Sequence, residues 1–243
     1  MLNALIGLIL GVFAATFSSS LFFRLPRNID LYGFLDNKLK PFCSKCNHPL
    51  KFFEYYSFLS WFSCRGRCNY CGDKIDFTFF ILEFFIILSS VLSSYFYGIS
   101  DKYIINVFIT IILSSISLTS LCNHKIPGSL YLSLVFLSIL KSSYFDAELM
   151  DVSMNLAIAG FLIMLFTKFT EKSRPYIDSI LVIGISFVYL SGDFVLYFKY
   201  LVSSICIFIT FRVFRSLQVI KNISKSTVAL FAASLSFLFM LFL

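Results

Sequence analysis

Apolar residues in this chain come in runs of about 20, the length at which an α-helix crosses the hydrocarbon core of a bilayer. Eight such runs occur, at 2–23, 77–98, 103–122, 129–145, 152–169, 177–192, 194–211 and 226–243. Of the 243 residues, 58% are hydrophobic and only 14% are charged. Soluble domains carry roughly 25% charged residues. This balance excludes a disordered chain, a collagen-like fibre and a secreted disulfide scaffold, and it argues against an ordinary soluble enzyme. Helices satisfy their own backbone hydrogen bonds in lipid. The expected fold is therefore all-α: a polytopic membrane helical bundle of about eight spans. The fourth run is short and contains Ser and Tyr. The sixth and seventh are separated by little more than Gly192-Asp193, so a hairpin or re-entrant pair stays open there.

Charge sets the direction. Nothing basic precedes the first run, and Arg24 and Arg27 follow it, the reverse of a secretory signal peptide. Basic loops stay in the cytoplasm, which puts the N-terminus outside. With eight alternating spans, 17 of the 20 Lys and Arg then lie inside, nine of them between Arg24 and Lys74. The outer loops hold Asp101, Asp146, Glu148, Asp151 and Asp193 with only Lys102 and Lys141. The net charge of +7 thus tracks cytoplasmic loops, and no nucleic-acid partner is expected. Three parts follow: span 1–23, a cytoplasmic loop 24–76, and a seven-span membrane domain 77–243. Strings of serine inside the runs (Ser18-Ser19-Ser20, Ser89-Ser90, Ser114-Ser115, Ser203-Ser204) read as helix-packing positions, because small residues let membrane helices approach closely.

The loop carries Cys43-Ser-Lys-Cys46 and Cys68-Asn-Tyr-Cys71, with 21 residues between the pairs. Two such pairs can wrap four thiolates around one zinc ion, as in a zinc ribbon. The cytoplasm disfavours disulfides, and a loop this small needs a staple for stability. Structural zinc on Cys43, Cys46, Cys68 and Cys71 is the expectation. Cys64 is an extra thiol that can compete as a ligand, and His48 is superfluous beside four cysteines. Cys122 and Cys206 lie in spans and read as packing residues.

The order of these features resembles a known family. The first span ends Phe17-Ser-Ser-Ser-Leu-Phe-Phe-Arg24-Leu25-Pro26. The loop carries Phe58-Leu59-Ser60-Trp61 and Arg65-Gly66-Arg67-Cys68-Asn69-Tyr70-Cys71-Gly72. Span 2 carries Leu82-Glu83, and Ile126-Pro127 precedes span 4. This is similar to the type IV prepilin leader peptidases, bifunctional bacterial inner-membrane enzymes of type IV pilus and type II secretion assembly. The resemblance implies prepilins or pseudopilins as partners and the lipid bilayer as surroundings. It implies cleavage of a short basic leader, then methylation of the new N-terminus with S-adenosylmethionine.

Peptidase chemistry in that family uses two aspartates near the cytoplasmic ends of spans. A pair of carboxylates can share a proton, so that one is base and the other acid. The resemblance places the first six residues before Ile126, where Ser120 stands, and no Asp or Glu occurs between Lys102 and Tyr144. The second belongs to a Gly-x-Gly-Asp motif. Asp193, in Ser191-Gly192-Asp193, matches better locally but falls on the outer side of the membrane, the wrong side for the site. Asp178 lacks the glycines but falls on the cytoplasmic side, and it is the preferred position. An Asn expected near the end of span 1 is replaced by Ser18 or Ser19.

Glu83, inside span 2, has two readings: a site residue or a helix-packing carboxyl. His124 reads as interfacial. Trp61 and the aromatic run at 52–56 read as membrane-surface residues. The expected protein is a divergent family member that keeps the scaffold and cysteine loop without an intact aspartate pair. Its leading function is prepilin processing, with cleavage in doubt; the alternative is a catalytically inactive, prepilin-binding assembly factor. A channel or transporter is disfavoured, since no charged or repeat pattern lines the spans.

Overall fold

A computed structural model describes residues 2–29, 42–43, 45–51, 54, 60–61, 63–122, 126–141, 157, 160, 177–189, 194–216 and 225–240. Its regular structure is helical, with two isolated antiparallel bridges. The chain forms two compact units, residues 1–118 and 119–243. Among the described residues, three helices are long and apolar enough to cross a membrane: Leu2–Arg27, Phe77–Tyr97 and Asp101–Leu121, with mean hydropathies of 2.0, 2.0 and 2.1. They match the first three expected spans. Shorter apolar helices lie at Gly128–Lys141 and Phe198–Thr210. Almost all of the expected span 152–169 falls outside the described residues.

The first unit is built on α1 (Leu2–Arg24), α2 (Phe77–Tyr97) and most of α3 (Asp101–Leu121). A 3-10 turn at Leu25–Arg27 ends α1, with Pro26 inside it. Pro cannot donate into a continuing helix, and Asn28 leaves the turn in the left-handed conformation (φ 53°). The Arg27 guanidinium donates to the exposed Phe23 carbonyl (2.8 Å) and lies over the Phe23 ring. Asp76 caps α2 by accepting from the Thr78 amide (2.9 Å). Gly98, at φ 65°, ends it.

α1 packs on α2 through small residues. A Cβ added at Gly11 would stand 2.9 Å from the Ser90 Cβ and 3.3 Å from the Ile87 Cα; one added at Gly7 would overlap the Ser94 side chain. The Gly7-x-x-x-Gly11-x-x-x-Ala15 stripe therefore lets two backbones meet. Ser90 uses the approach: its hydroxyl donates to the Gly7 carbonyl (2.7 Å) and pairs with the Tyr103 hydroxyl of α3 (2.8 Å). Ser18 pairs with Ser115 (3.0 Å) and Ser89 with Thr110 (3.0 Å), tying α3 to α1 and to α2. Ser18, Ser19, Ser89, Ser90 and Ser115 are buried packing positions that also bond across helices, whereas the Ser20 and Ser114 hydroxyls bond carbonyls of their own helices.

In the second unit, α4 (Gly128–Lys141), α5 (Ile177–Tyr189), α6 (Phe194–Ser216) and α7 (Lys225–Met240) pack as α4 on α5, α5 on α7 and α6 on α7. Leu130, Leu134, Val182 and Ile185 are buried. The Tyr200 hydroxyl donates from α6 to the Ala233 carbonyl of α7 (3.3 Å). The Ser203 and Ser204 hydroxyls return to carbonyls of their own helix. Cys206 is exposed on α6 rather than packed, and Cys122 is half-buried.

The close approach of α1 and α2 predicts a sharp asymmetry. Gly11→Leu should destabilise the protein by about 2 kcal/mol through overpacking, read as a lower melting temperature in detergent. Leu10→Ala, on an exposed position of the same helix, should leave it nearly unchanged. Equal effects would mean that the helices do not meet through Gly11.

Candidate metal centre

The four cysteines of the loop come together as the spacing predicts. The sulfurs of Cys43, Cys46, Cys68 and Cys71 all lie within 4.8 Å of one another, and Cys43 and Cys71 are 3.9 Å apart. Four thiolates bound tetrahedrally at about 2.3 Å from a zinc ion stand about 3.8 Å apart. The sulfur cage is thus close to the size that a metal of this class needs.

Local backbone explains why each pair turns inward. In the first knuckle the Cys43 amide donates to the His48 carbonyl (3.0 Å) and the Asn47 amide to the Cys43 carbonyl (2.9 Å). In the second, the Cys68 amide donates to Asp73 (2.8 Å) and the Gly72 amide to Cys68 (2.9 Å). The residue after each second cysteine turns left-handed, Asn47 at φ 55° and Gly72 at φ 71°. Asn and Gly tolerate that conformation best. Each knuckle closes in an antiparallel bridge, Phe42 with Pro49 and Arg67 with Lys74. The two are therefore one motif repeated 25 positions apart. Their cross-contacts repeat too: Lys45 reaches Asp73 (3.8 Å), while His48 stacks on Tyr70 with ring centroids 3.5 Å apart.

The cage pulls Cys43 and Cys71 in opposite directions. Burial pushes Cys43 up, but the backbone amides of Cys46 and Lys45 and the thiols of Cys46 and Cys68 outweigh it and lower it to about 7. The Asp73 amide pulls Cys71 down, yet burial and the sulfurs of Cys68, Cys46 and Cys43 together push it up to about 12. One thiolate forms readily and the last resists, because crowded negative sulfurs repel each other. A divalent cation removes that repulsion and favours full deprotonation. The donor set therefore fits a metal. Cys64 is not in the cage; its sulfur meets the Ser63 hydroxyl (3.5 Å). His48 is also outside it. Glu54 braces the loop from beside the second knuckle, accepting from the Lys51 amide (2.8 Å) and from Asn69 (3.0 Å). The Lys51 amide, then Asn69, hold its carboxyl below the usual range.

Trp61 does not simply float at a membrane surface. Its ring covers Gly66, which turns left-handed at φ 67°, and packs on Phe77 and Phe80 of α2. Of the aromatic run at 52–56, only Glu54 lies among the described residues, and Asp193 and His124 lie outside them.

Glu83 is buried on α2, where it accepts a 2.6 Å hydrogen bond from the Ser19 hydroxyl of α1. Ser120 is buried on the last turn of α3. Asp178 is half-buried in the first turn of α5, beside the Tyr131 phenol of α4. No hydrogen bond links Ser120 to Asp178 among the described residues. Sequence reading missed the Gly7/Gly11 stripe and the repeated knuckle, although both were visible as small residues at intervals of four and as matched flanks of the Cys pairs.

The model of the bacterial peptidase A24 N-terminal domain matches residues 7–97, which hold most of α1, the cysteine knuckles and α2. The prepilin leader peptidase/N-methyltransferase of Vibrio cholerae serotype O1 is 35% identical over 91 residues, 35% of this chain and 34% of that protein. The protein of that name from Stutzerimonas stutzeri is 24% identical over 120 residues, 49% of this chain and 42% of its own length. That from Pseudomonas putida is 26% identical over 98 residues, 40% of this chain and 34% of its own. The chain thus spans between about a third and two fifths of the curated relatives it matches. No solved structure matches it. The matched region, with the cysteine cage and the α1–α2 pair inside it, is thus similar to the bacterial peptidase A24 N-terminal domain and to the prepilin leader peptidase/N-methyltransferases.

Proposed function

We propose that this chain is an inner-membrane protein of type IV pilus or type II secretion assembly that binds prepilins or pseudopilins without cutting their leaders. The observation that carries the reading is the division between what is kept and what is missing. The cage of Cys43, Cys46, Cys68 and Cys71 is complete, while Ser120 fills the position where the resemblance puts the first catalytic carboxylate.

Leader cleavage needs a group to take a proton from water and another to give one to the leaving amine. Two carboxylates fill both roles by sharing a proton. A serine hydroxyl has no useful acidity near neutral pH and cannot hold that proton. Asp178, or its rival Asp193, then stands alone as a catalytic carboxylate. Glu83 is engaged by Ser19 at the α1–α2 contact, which favours its packing role.

Zinc is the metal that four thiolates favour, and in such closed sites it is structural. Here Cys43, Cys46, Cys68 and Cys71 would hold it and keep the loop folded between α1 and α2. S-adenosylmethionine, the donor implied by the resemblance, would supply a methyl group if that activity is retained. No described residue is tied to it. The topology has the N-terminus outside and eight spans, with the loop at 24–76 in the cytoplasm. The charge asymmetry supports it.

Three measurements test this reading. Purified protein should carry about one zinc per chain, and Cys46→Ser should release the metal and open the loop to protease. Protein prepared without chelator that contains no zinc refutes the metal assignment. Reporters fused after Lys40, Lys172 and Lys221 should report cytoplasm, and one after Asp146 the outside; reversal at two sites rejects the eight-span topology. Membranes containing only this protein should leave a prepilin uncut where an intact relative cleaves it, because losing one member of a catalytic unit removes most of the rate. Efficient cleavage abolished by Asp178→Ala overturns the non-cutting reading, and cleavage abolished by Asp193→Ala moves the site to the other carboxylate.

A further inference from the structure

The two knuckles meet through a pair of their sulfurs. Cys43 belongs to the first and Cys71 to the second, and their Sγ atoms stand 3.9 Å apart although 28 positions separate them. Contacts that involve no sulfur hold the knuckles in this register. The His48 ring stacks on Tyr70, and Lys45 reaches Asp73. The exposed ion pair contributes little, whereas the stack covers both ring faces. Phe42, beside Cys43, packs on Phe23 and so fixes the first knuckle to α1. Loss of a metal therefore does not by itself part the two sulfurs.

Cys46 and Cys71 are exposed, while Cys43 and Cys68 are half-buried. One sulfur of each pair is thus open to a small oxidant in solution. The thiolate is the form of cysteine that reacts with a peroxide. One of the two facing thiolates attacks the O–O bond of hydrogen peroxide, becomes a sulfenic acid and releases hydroxide. The other then attacks that sulfur, forms the S–S bond and displaces a second hydroxide. Two electrons pass from the sulfurs to the peroxide. Two protons from solvent turn the hydroxides into water.

Strain and loop length decide which pair closes. A disulfide needs sulfurs about 2 Å apart, so Cys43 and Cys71 must close by roughly 2 Å. The cross-knuckle contacts already hold them in place for that step. Inside each knuckle the turn is fixed by backbone, with the Asn47 amide on the Cys43 carbonyl and the Gly72 amide on that of Cys68. A disulfide within a C-x-x-C pair would leave the knuckles unlinked, and strained or exposed disulfides are the labile ones. The cross-link closes a far longer loop and so restricts the unfolded chain more. We propose that the cysteine cage is a peroxide-sensitive staple: hydrogen peroxide joins Cys43 to Cys71 across the knuckles, which releases the metal while the disulfide keeps the loop closed. The release rests on the proposed zinc; the cross-link does not.

The test uses the full chain in detergent, purified without chelator, freed of reductant and treated with a small excess of hydrogen peroxide. Remaining thiols are blocked with N-ethylmaleimide, and linked peptides are mapped by mass spectrometry without reduction. A Cys43–Cys71 link should dominate, free zinc should rise in step with it, and dithiothreitol should reverse both. The oxidised chain should keep its loop resistant to protease, unlike reduced chain stripped of metal. Cys64→Ser should leave the link unchanged, because that thiol lies outside the cage. Cys71→Ser should abolish it; if that variant fails to fold, the wild-type map decides alone. Links within Cys43–Cys46 or Cys68–Cys71, links to Cys64, thiols that stay free, or zinc retained by the linked chain overturn the proposal. Metal-free protein is treated in parallel. A chain that never carries zinc but still forms the Cys43–Cys71 link refutes the zinc assignment and upholds the cross-link.

Discussion

The close approach of α1 and α2 is what the rest of the first unit hangs on. Apolar surface gives membrane helices no reason to prefer each other over lipid, so packing of small residues and interhelical hydrogen bonds must do it. Gly7 and Gly11 remove the side chains that would keep Ser94 and Ser90 away. Only then does the Ser90 hydroxyl reach the Gly7 carbonyl. Further along the same contact, Ser19 meets Glu83, and beyond them Phe22 and Phe23 meet Phe79. Two helices fixed at this distance return the chain to the point where it left. The loop between them starts with much of its closure entropy already met by the membrane helices.

That constraint explains how so short a loop can organise a metal cage. Each knuckle is fixed by two backbone hydrogen bonds and one left-handed residue, not by a hydrophobic core. Phe42 reaches Phe23 of α1, while Trp61 sits on Phe77 and Phe80 of α2. The loop is thereby anchored at both helices. Bringing four sulfurs together is unfavourable once they ionise, as the spread from about 7 at Cys43 to about 12 at Cys71 shows. A cation is the natural completion of such a cage, because its charge turns the repulsion into attraction.

Much of this was legible in the residues. The spacing of Cys43, Cys46, Cys68 and Cys71 implied the cage because two short turns leave few other ways to converge four thiols. The apolar runs near 2–23, 77–98 and 103–122 became long helices. Ser18-Ser19 and Ser89-Ser90 were readable as packing positions, but not their partners, because pairing Ser18 with Ser115 or Ser89 with Thr110 requires the helix rotations. Gly7 and Gly11 were overlooked inside a run whose length dominated the reading. The exposed position of Cys206 was not legible, since a run that is apolar all round does not reveal which face meets a neighbour.

The same physics bears on the missing carboxylate. On α3 the hydroxyls of Thr110, Ser114, Ser115 and Ser117 bond carbonyls three or four residues earlier in their own helix. Ser114, Ser115 and Ser117 are buried, and so is Ser120 one turn further on. A serine can hide its hydroxyl in this way within a close-packed helix. An aspartate cannot, because its charge needs water, a cation or a shared proton. A helix that presents a catalytic carboxylate must therefore leave a polar opening beside it, at a cost to packing. Position 120 in this chain continues the small-residue pattern of the helix instead. Glu83, the carboxyl that stays buried in the first unit, is the one held by a neighbouring helix. The acidic group retained there ties two helices together.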